Sequence, residues 1–439
     1  MSIKNFVKYV LKVFPDDGKR VKNFYWKTRH NYRNILAKFQ AISKNYHIPS
    51  PDTIYWINPE RIIYLTNYNP TKDDIPIRNR IFDPEKDIGK VIGGDWDISD
   101  YKFTDLAVYK AFKERILHNK KWQDTDFYAR VIDDISGGKI KWGCKTQEEF
   151  DRRCEYLDRL IDSIKNNGYK LSRDVEIEEW GKSFNTFNEE VTVNIGRNGE
   201  FLFENGRHRL AIAKILKIPK IPVKIVVRHQ KWQEFREFIL RYATKLSGGK
   251  LYQPPIHPDL NDIPIQHKCE GRFEAIKNNI DIKSGGKLLD IGAYFGYFCH
   301  KFEELGFDCY AVENLPELVY IMRRIKLAEN KKFTIIDEDA LESKQVINQK
   351  YTVVLALNIL HHFIKTEENH NKLIHFLQNL NTDVLIFEPH LHNEPQMKNA
   401  YRNYDIDEFL KFISKYSGLS KNKQIYIADD GRKVFKLYR

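Results

Sequence analysis

Residues 203–214 read FENGRHRLAIAK. Arg207, His208 and Arg209, each cationic or able to become so, follow Gly206 at a predicted helix start. A helix N-terminus already carries partial positive charge, so three such groups disfavour the helix unless an anion is held there. Backbone N–H groups at such a turn, with arginine forks beside them, suit phosphate oxygens. The plainer alternative is an ordinary solvated helix start. A second group is the run DIGAYFG over residues 290–296, spaced D-x-G-x-x-x-G. Gly292 and Gly296 there allow a ligand to approach the backbone. The next predicted strand ends in Glu313, where a carboxylate can accept hydrogen bonds from ribose hydroxyls. The spacing differs from the dinucleotide pattern G-x-G-x-x-G. A third group, Asn358, His361 and His362, lies in LNILHHF. Asp95 and Asp97 in GGDWD, and Glu204 beside the GRHR turn, are carboxylates suited to orienting an acceptor or a metal. Turn chemistry is the simpler role for Asp95 and Asp97.

The elements that position these groups follow from the apolar pattern. Strands are expected at 191–196 and 200–203, joined through Asn198-Gly199, a hairpin signal. A helix from the GRHR turn to about 216 and a strand at 221–227 complete a small α/β unit, 171–245. Residues 246–284 contain SGGKLYQPPIHPDL and read as a linker because of their glycine and prolines. From 285 the pattern alternates strand and helix: strands at 287–291, 309–312, 333–336, 351–357 and 384–387. A closing pair, QIYIAD and KVFKLYR, brackets Asp430-Gly431-Arg432. The fold class is α/β, with a doubly wound sheet over 285–439. Residues 1–170 read as a helical and mixed region.

The chain has 439 residues, 42% of them apolar, enough for two or three packed domains. No run is long enough for a membrane span. Five scattered cysteines without a CxxC pair argue against a disulfide framework or a zinc site and suit a reducing cytoplasm. The net charge of +12 is unevenly placed. Residues 285–439 hold 21 basic and 21 acidic residues, whereas residues 1–50 hold 11 and 2. That is not the charge of a duplex-binding groove. Ile3, Phe6, Val7, Val10, Leu11 and Phe14 line one face of a predicted helix over 2–15, with Lys4, Lys8 and Lys12 off it. Such a helix suits an anionic membrane surface, or docks on the protein's own core.

The order of loop, acid and strands over 285–439 resembles the class I S-adenosylmethionine-dependent methyltransferases. The resemblance implies that Asp290, Gly292 and Gly296 hold the methionine part of the cofactor and Glu313 the ribose. Asp339, after the third strand, would lie near the adenine, and Asn358, His361 and His362 near the methyl donor. No metal is implied. Residues 191–229 resemble the ParB/sulfiredoxin-like fold, whose G-x-[HR]-R turn binds nucleotide phosphates; here these are Gly206, Arg207, His208 and Arg209. Arg207 stands where sulfiredoxins have cysteine, which argues against sulfinic repair. His208 departs from the partition proteins, and no DNA-reading helix-turn-helix follows. Some members of that fold are small-molecule kinases, which would imply ATP with Mg2+; CTP is the other candidate.

The combined expectation is a cytoplasmic, bifunctional protein. One domain binds a nucleotide and acts as a kinase, and the other methylates the phosphate or a nearby hydroxyl of a glycan or small-molecule acceptor. A hydroxyl acceptor needs a base, His361 or His362; a phosphate monoester, ionised at neutral pH, needs none. A membrane-surface helix fits a lipid-linked glycan. Two rival expectations remain: a nucleic-acid-modifying methyltransferase with a nuclease-like module, and a methyltransferase regulated by nucleotide without kinase activity. LNILHHF lacks the N/D-P-P-Y-type segment of amino-methylating DNA enzymes, which counts against the first.

Overall fold

The computed structural model describes residues 46–66, 82, 87–171, 190–283 and 285–439. The basic helix expected over 2–15 lies outside them. The chain divides into two compact units, Met1–Phe238 and Ile239–Arg439.

Unit 1 is built on a six-stranded sheet. Its elements are β1 (Tyr55–Ile57), β2 (Ile62–Leu65), β3 (Lys90–Ile92), α1 (Ala107–His118), α2 (Asp126–Ser136), α3 (Gln147–Asn167), β4 (Val191–Ile195), β5 (Phe201–Asn205), α4 (Arg207–Ile215) and β6 (Ile221–His229). Helix α5 (Gln230–Thr244) spans the division between the units. The strand order is β1-β6-β4-β5-β2, with β3 also on β6. β4 and β5 form the expected antiparallel hairpin, and α4 is the crossover that returns the chain to β6, parallel to β4. All five residues of β4 are buried, as for a strand covered on both faces. The region expected as helical and mixed supplies three of the six strands, all within 51–65 and 89–103, the two stretches whose sequences PDTIYWINPERIIYL and GKVIGGDWDISDYKF read as short strands and turns. Helix α3 follows from its sequence: Thr146 caps it by accepting from the Glu149 amide at 3.3 Å. Phe150, Cys154, Leu157, Ile161 and Ile164 then recur at helical spacing and are buried.

Unit 2 holds α6 (Glu270–Lys277), β7 (Gly286–Ile291), α7 (Tyr297–Glu303), β8 (Phe307–Val312), α8 (Pro316–Ala328), β9 (Thr334–Ile336), α9 (Lys344–Ile347), β10 (Lys350–Leu357), α10 (Glu367–Asn379), β11 (Asn381–Glu388), α11 (Ile406–Ser417), β12 (Lys421–Ile427) and β13 (Lys433–Tyr438). The order is β12-β13-β11-β10-β7-β8-β9. β7 to β11 are mutually parallel, and β13 lies antiparallel between β11 and β12. The strand order reverses between β7 and β10, the switch point outside which α/β sheets bind ligands at the carboxyl ends of their strands. The segment 246–284, expected as a linker, is folded. Leu251 bridges to Ile265, and Pro258–Leu260 forms a short 3₁₀ turn. Leu251, Leu260 and Ile263 are at most 2% exposed. Glycine and proline here mark turns of a packed strap, because the apolar residues between them find a core to enter.

Candidate functional site

The turn after β7 is shaped by two positive φ angles that favour glycine. Gly292 has φ +67° and Gly296 φ +76°. A Cβ on Gly292 would lie 2.7 Å from the Ile359 side chain. The turn is tied to β8 by Ala293 N–H donating to the Val312 carbonyl at 3.0 Å, and by Tyr294 N–H donating to Glu313 Oε2 at 3.1 Å. Glu313 Oε1 accepts from the Asn314 and Leu315 amides at 3.0 and 3.1 Å. Burial pushes the Glu313 carboxyl up while these amides favour its ionised form. A carboxylate has about four lone-pair sites, so Glu313 still has acceptor capacity for hydroxyls.

Asp290, near the end of β7, is 2% exposed, and its Oδ2 has no hydrogen-bond partner. Burial first, and then Glu313, push its carboxyl up to about 8. Asn358 follows β10 at φ +53°. Its amide N–H donates to the Glu388 carbonyl at 2.9 Å, and its Nδ2 donates to the Tyr252 hydroxyl at 2.8 Å. Its Oδ1 is buried without a partner. Asp339, after β9, is exposed and accepts the Leu341 amide at 2.8 Å in a local turn. The Glu313 amide donates to the Ile336 carbonyl at 3.1 Å, which sets the ends of β8 and β9 side by side.

His361 and His362 lie on a 3₁₀ turn, Leu360–Ile364. The His361 ring is 4.1 Å from His362 and 5.5 Å from His390, which follows β11. His361 is 2% exposed and neither ring nitrogen has a partner. His390 Nε2 lies 2.9 Å from Asn403 Oδ1, while its Nδ1 has no partner. Burial, reinforced by His362 and His390, pushes His361 down to about 3. Burial lowers His362 and His390 as well, so all three rings are neutral at pH 7. Neutral imidazoles offer both a donor and an acceptor. Arg272 grips Glu388 at the end of β11 through contacts of 2.7 to 3.2 Å, a buried fork–fork pair.

Sequence reasoning missed Tyr252, His267 and His390. The signal for His390 was present: Pro389-His390 follows directly on the fifth parallel strand, and residues there face the crevice. No local signal marks Tyr252 or His267, whose rings meet at 4.7 Å, because their place depends on how the strap packs.

In unit 1, Gly206 is the N-cap of α4 at φ +94°, with the GRHR residues at the expected helix start. The three basic side chains diverge. Arg209 is turned inward: Nη1 pairs with Glu190 at 3.1 Å, Nη2 donates to the Lys170 carbonyl at 2.6 Å, and the guanidinium lies over Tyr169. The charge expected to call for an outside anion is met there by a carboxylate of the chain. His208 packs against Phe112 and Trp142, and its Nε2 is buried without a partner. Burial, then Arg153 and Arg207, hold it well below the usual histidine range. It therefore adds no positive charge at pH 7. Arg207 lies over the other side chain of this cluster, Trp142, at 5.2 Å.

The carboxylates are also engaged. Asp97 is buried and takes the Arg197 backbone and guanidinium at 2.7 to 3.1 Å. Burial pushes its carboxyl up, but the Arg197 hydrogen bonds more than reverse this. Asp95 accepts from the same guanidinium at 2.7 Å. Turn and ion-pair roles thus account for both. Glu204 Oε2 accepts from Asn194 Nδ2 at 2.7 Å inside a buried network with Thr66.

Comparison with known proteins bears on unit 2. Residues 265–417 match the model of a methyltransferase domain family. No curated protein matches the sequence. Among solved structures, the bifunctional kinase-methyltransferase WbdD is similar at 16% identity and TM-score 0.37, over 45% of this chain and 45% of that one. The chain thus covers less than half the length of WbdD. The magnesium protoporphyrin IX methyltransferase ChlM from Synechocystis PCC 6803, solved with bound SAM, is similar at 18% identity and TM-score 0.29, over 38% of this chain and 80% of that one. The family match falls on the sheet whose order reverses at β7 and β10, so residues 265–417 carry a methyltransferase domain on an α/β sheet.

Proposed function

We propose that the chain transfers the methyl group of S-adenosylmethionine to an oxygen of a hydroxyl-bearing or phosphorylated acceptor, a glycan or small molecule. The observation that carries this reading is the chemistry of the buried, unpartnered polar atoms. Among them are two oxygens at the ends of the adjacent strands β7 and β10, Asp290 Oδ2 and Asn358 Oδ1. On the side of β11 are ring nitrogens, both of His361 and Nδ1 of His390. The amide oxygen of Asn358, and the Asp290 carboxylate once its proton is expelled, complement a cationic cofactor, and neutral imidazoles complement a hydroxyl.

Bound S-adenosylmethionine supplies an electrophilic sulfonium methyl. Glu313 holds the ribose hydroxyls, the Gly292 and Gly296 turn admits the amino-acid end, and Asn358 borders the reacting centre. Positioning does most of the work of such an in-line transfer. His361, at about 3, is a weak base. It orients the acceptor by hydrogen bonding, and His362 takes the hydroxyl proton. An acceptor phosphate needs neither.

Unit 1 is read as a nucleotide-binding module in which Arg207 and the backbone of the α4 N-terminus meet the phosphates. A phosphotransferase step needs a carboxylate beside that turn. Arg197 holds Asp95 and Asp97, and Asn194 Nδ2 donates to Glu204, which supports nucleotide binding rather than phosphotransfer.

Calorimetry with S-adenosylmethionine on the full chain and on Glu313→Ala tests the methyltransferase reading. Binding weakened by the substitution is expected, and no binding to the wild type sinks it. Thermal-shift titration with ATP, ADP and CTP on wild type and Arg207→Ala tests the module. If no nucleotide shifts the wild type, the nucleotide site is excluded.

A further inference from the structure

The strap from Leu251 to His267 enters the site from outside the strand–helix alternation. Its base is closed by Leu251 N–H donating to the Pro264 carbonyl at 2.9 Å and Gln266 N–H donating to the Leu251 carbonyl at 2.7 Å. Tyr252 is anchored at both ends. Its amide donates to the Tyr294 hydroxyl at 3.2 Å, in the glycine turn, and its hydroxyl accepts from Asn358 Nδ2 at 2.8 Å, after β10. One residue therefore bridges the two turns that flank the switch point. The next residue, Gln253, is 7% exposed, and its Oε1 has no partner.

Gln253 Oε1, one residue beyond the Tyr252 anchor, is a buried oxygen without a donor, as Asp290 Oδ2 and Asn358 Oδ1 are. An unmet buried acceptor is costly, because it has lost water without gaining a donor. A ligand that satisfies all three must bring N–H groups or positive charge. Within S-adenosylmethionine the ammonium group brings three N–H donors.

We propose that Gln253 accepts a hydrogen bond from the ammonium group of the cofactor's amino-acid end, with Tyr252 as the residue that positions it. The strap is then a wall of the cofactor site. This rests on the methyltransferase reading and adds to it a contact from outside the glycine turn.

The test is calorimetry on the full chain with three probes: S-adenosylmethionine, S-adenosylhomocysteine and 5′-methylthioadenosine. The first two carry the ammonium, and the third lacks the amino-acid end. Gln253→Leu is expected to weaken both ammonium-bearing ligands about tenfold or more, the size of one hydrogen bond to a charged group. It should leave 5′-methylthioadenosine essentially unchanged, which also reports that the site is folded. Gln253→Glu keeps an acceptor and should bind S-adenosylmethionine at least as well as wild type. Unchanged S-adenosylmethionine affinity in Gln253→Leu overturns the proposal. So does an equal loss for 5′-methylthioadenosine, or a Gln253→Glu protein as weak as Gln253→Leu. A wild type that binds none of the three defeats the parent reading as well, a result distinct from these.

Discussion

Asp290 illustrates how one buried carboxyl couples ligand, proton and fold. Its folded pKa of about 8 lies well above its ordinary value, so it holds its proton at pH 7. The unfolded chain gives that proton up, and stability from this residue is therefore lost as pH rises from about 4 to about 8. The groups acting on or affected by it are Glu313, Cys269 and Cys299. A cofactor ammonium beside Asp290 favours the carboxylate, so binding should expel the proton. Calorimetry at pH 7 in buffers of different ionisation heat should read that release. Affinity should rise as pH is raised from about 5.5 to about 7, by at most about tenfold per unit. Asp290→Asn should abolish both effects; proton release that persists in the variant assigns it elsewhere. His361 has the opposite sign. Its folded pKa of about 3 lies below the unfolded value, so stability is present above about pH 6.5 and lost as pH falls. His361→Phe keeps the ring and removes the nitrogens. Its acid unfolding curve should be flatter between about pH 6.5 and 4 than that of wild type.

At the scale of the element, the start of α4 separates two arginines that look equivalent in sequence. Arg209 and Glu190 pair with side chains 10% and 6% exposed. Removing one member of a buried pair strands the other, at about 3–5 kcal/mol. Arg209→Ala should therefore lower the melting temperature of unit 1 by several degrees. Arg207, which lies over the Trp142 ring at 5.2 Å, provides the comparison. Differential scanning calorimetry of the two variants decides the matter: equal melting temperatures would mean that the Glu190 pair contributes little. The nucleotide response should then be judged on Arg207→Ala alongside its melting temperature, so that a loss of binding is not confounded by a loss of fold.

For the whole molecule, charge and connectivity set two expectations. Among the described residues no helix is long and apolar enough to cross a membrane. The positive excess is concentrated in residues 1–50, with 11 basic and 2 acidic residues. If the 2–15 helix meets an anionic surface, the full chain should sediment with vesicles containing anionic lipid, and removing residues 1–15 should abolish this. A deletion that lowers the melting temperature and leaves sedimentation unchanged assigns the helix to the protein's own core. Arg207→Ala lies in unit 1 and should leave S-adenosylmethionine affinity unchanged. A shift in that affinity would instead reveal coupling between nucleotide and methyl donor.

What was legible in the sequence was local. Strand–helix alternation, the D-x-G-x-x-x-G turn and the acid after the second strand depend on side-chain period and on backbone angles that glycine tolerates. Hence the parallel strands, the turn residues Gly292 and Gly296 and the place of Glu313 could be read directly. The GRHR turn was placed correctly at a helix start for the same reason. Its charge balance could not be read, because Glu190 and Lys170 lie 19 and 39 residues away in sequence and meet Arg209 only through the fold. Nor could the neutrality of His208 and His361, since burial among aromatic rings and neighbouring histidines decides it. The strap residues Tyr252 and Gln253 were hidden behind a glycine- and proline-rich composition. Only packing brought Tyr252 against Asn358, 106 residues later, and so made a presumed linker part of the site.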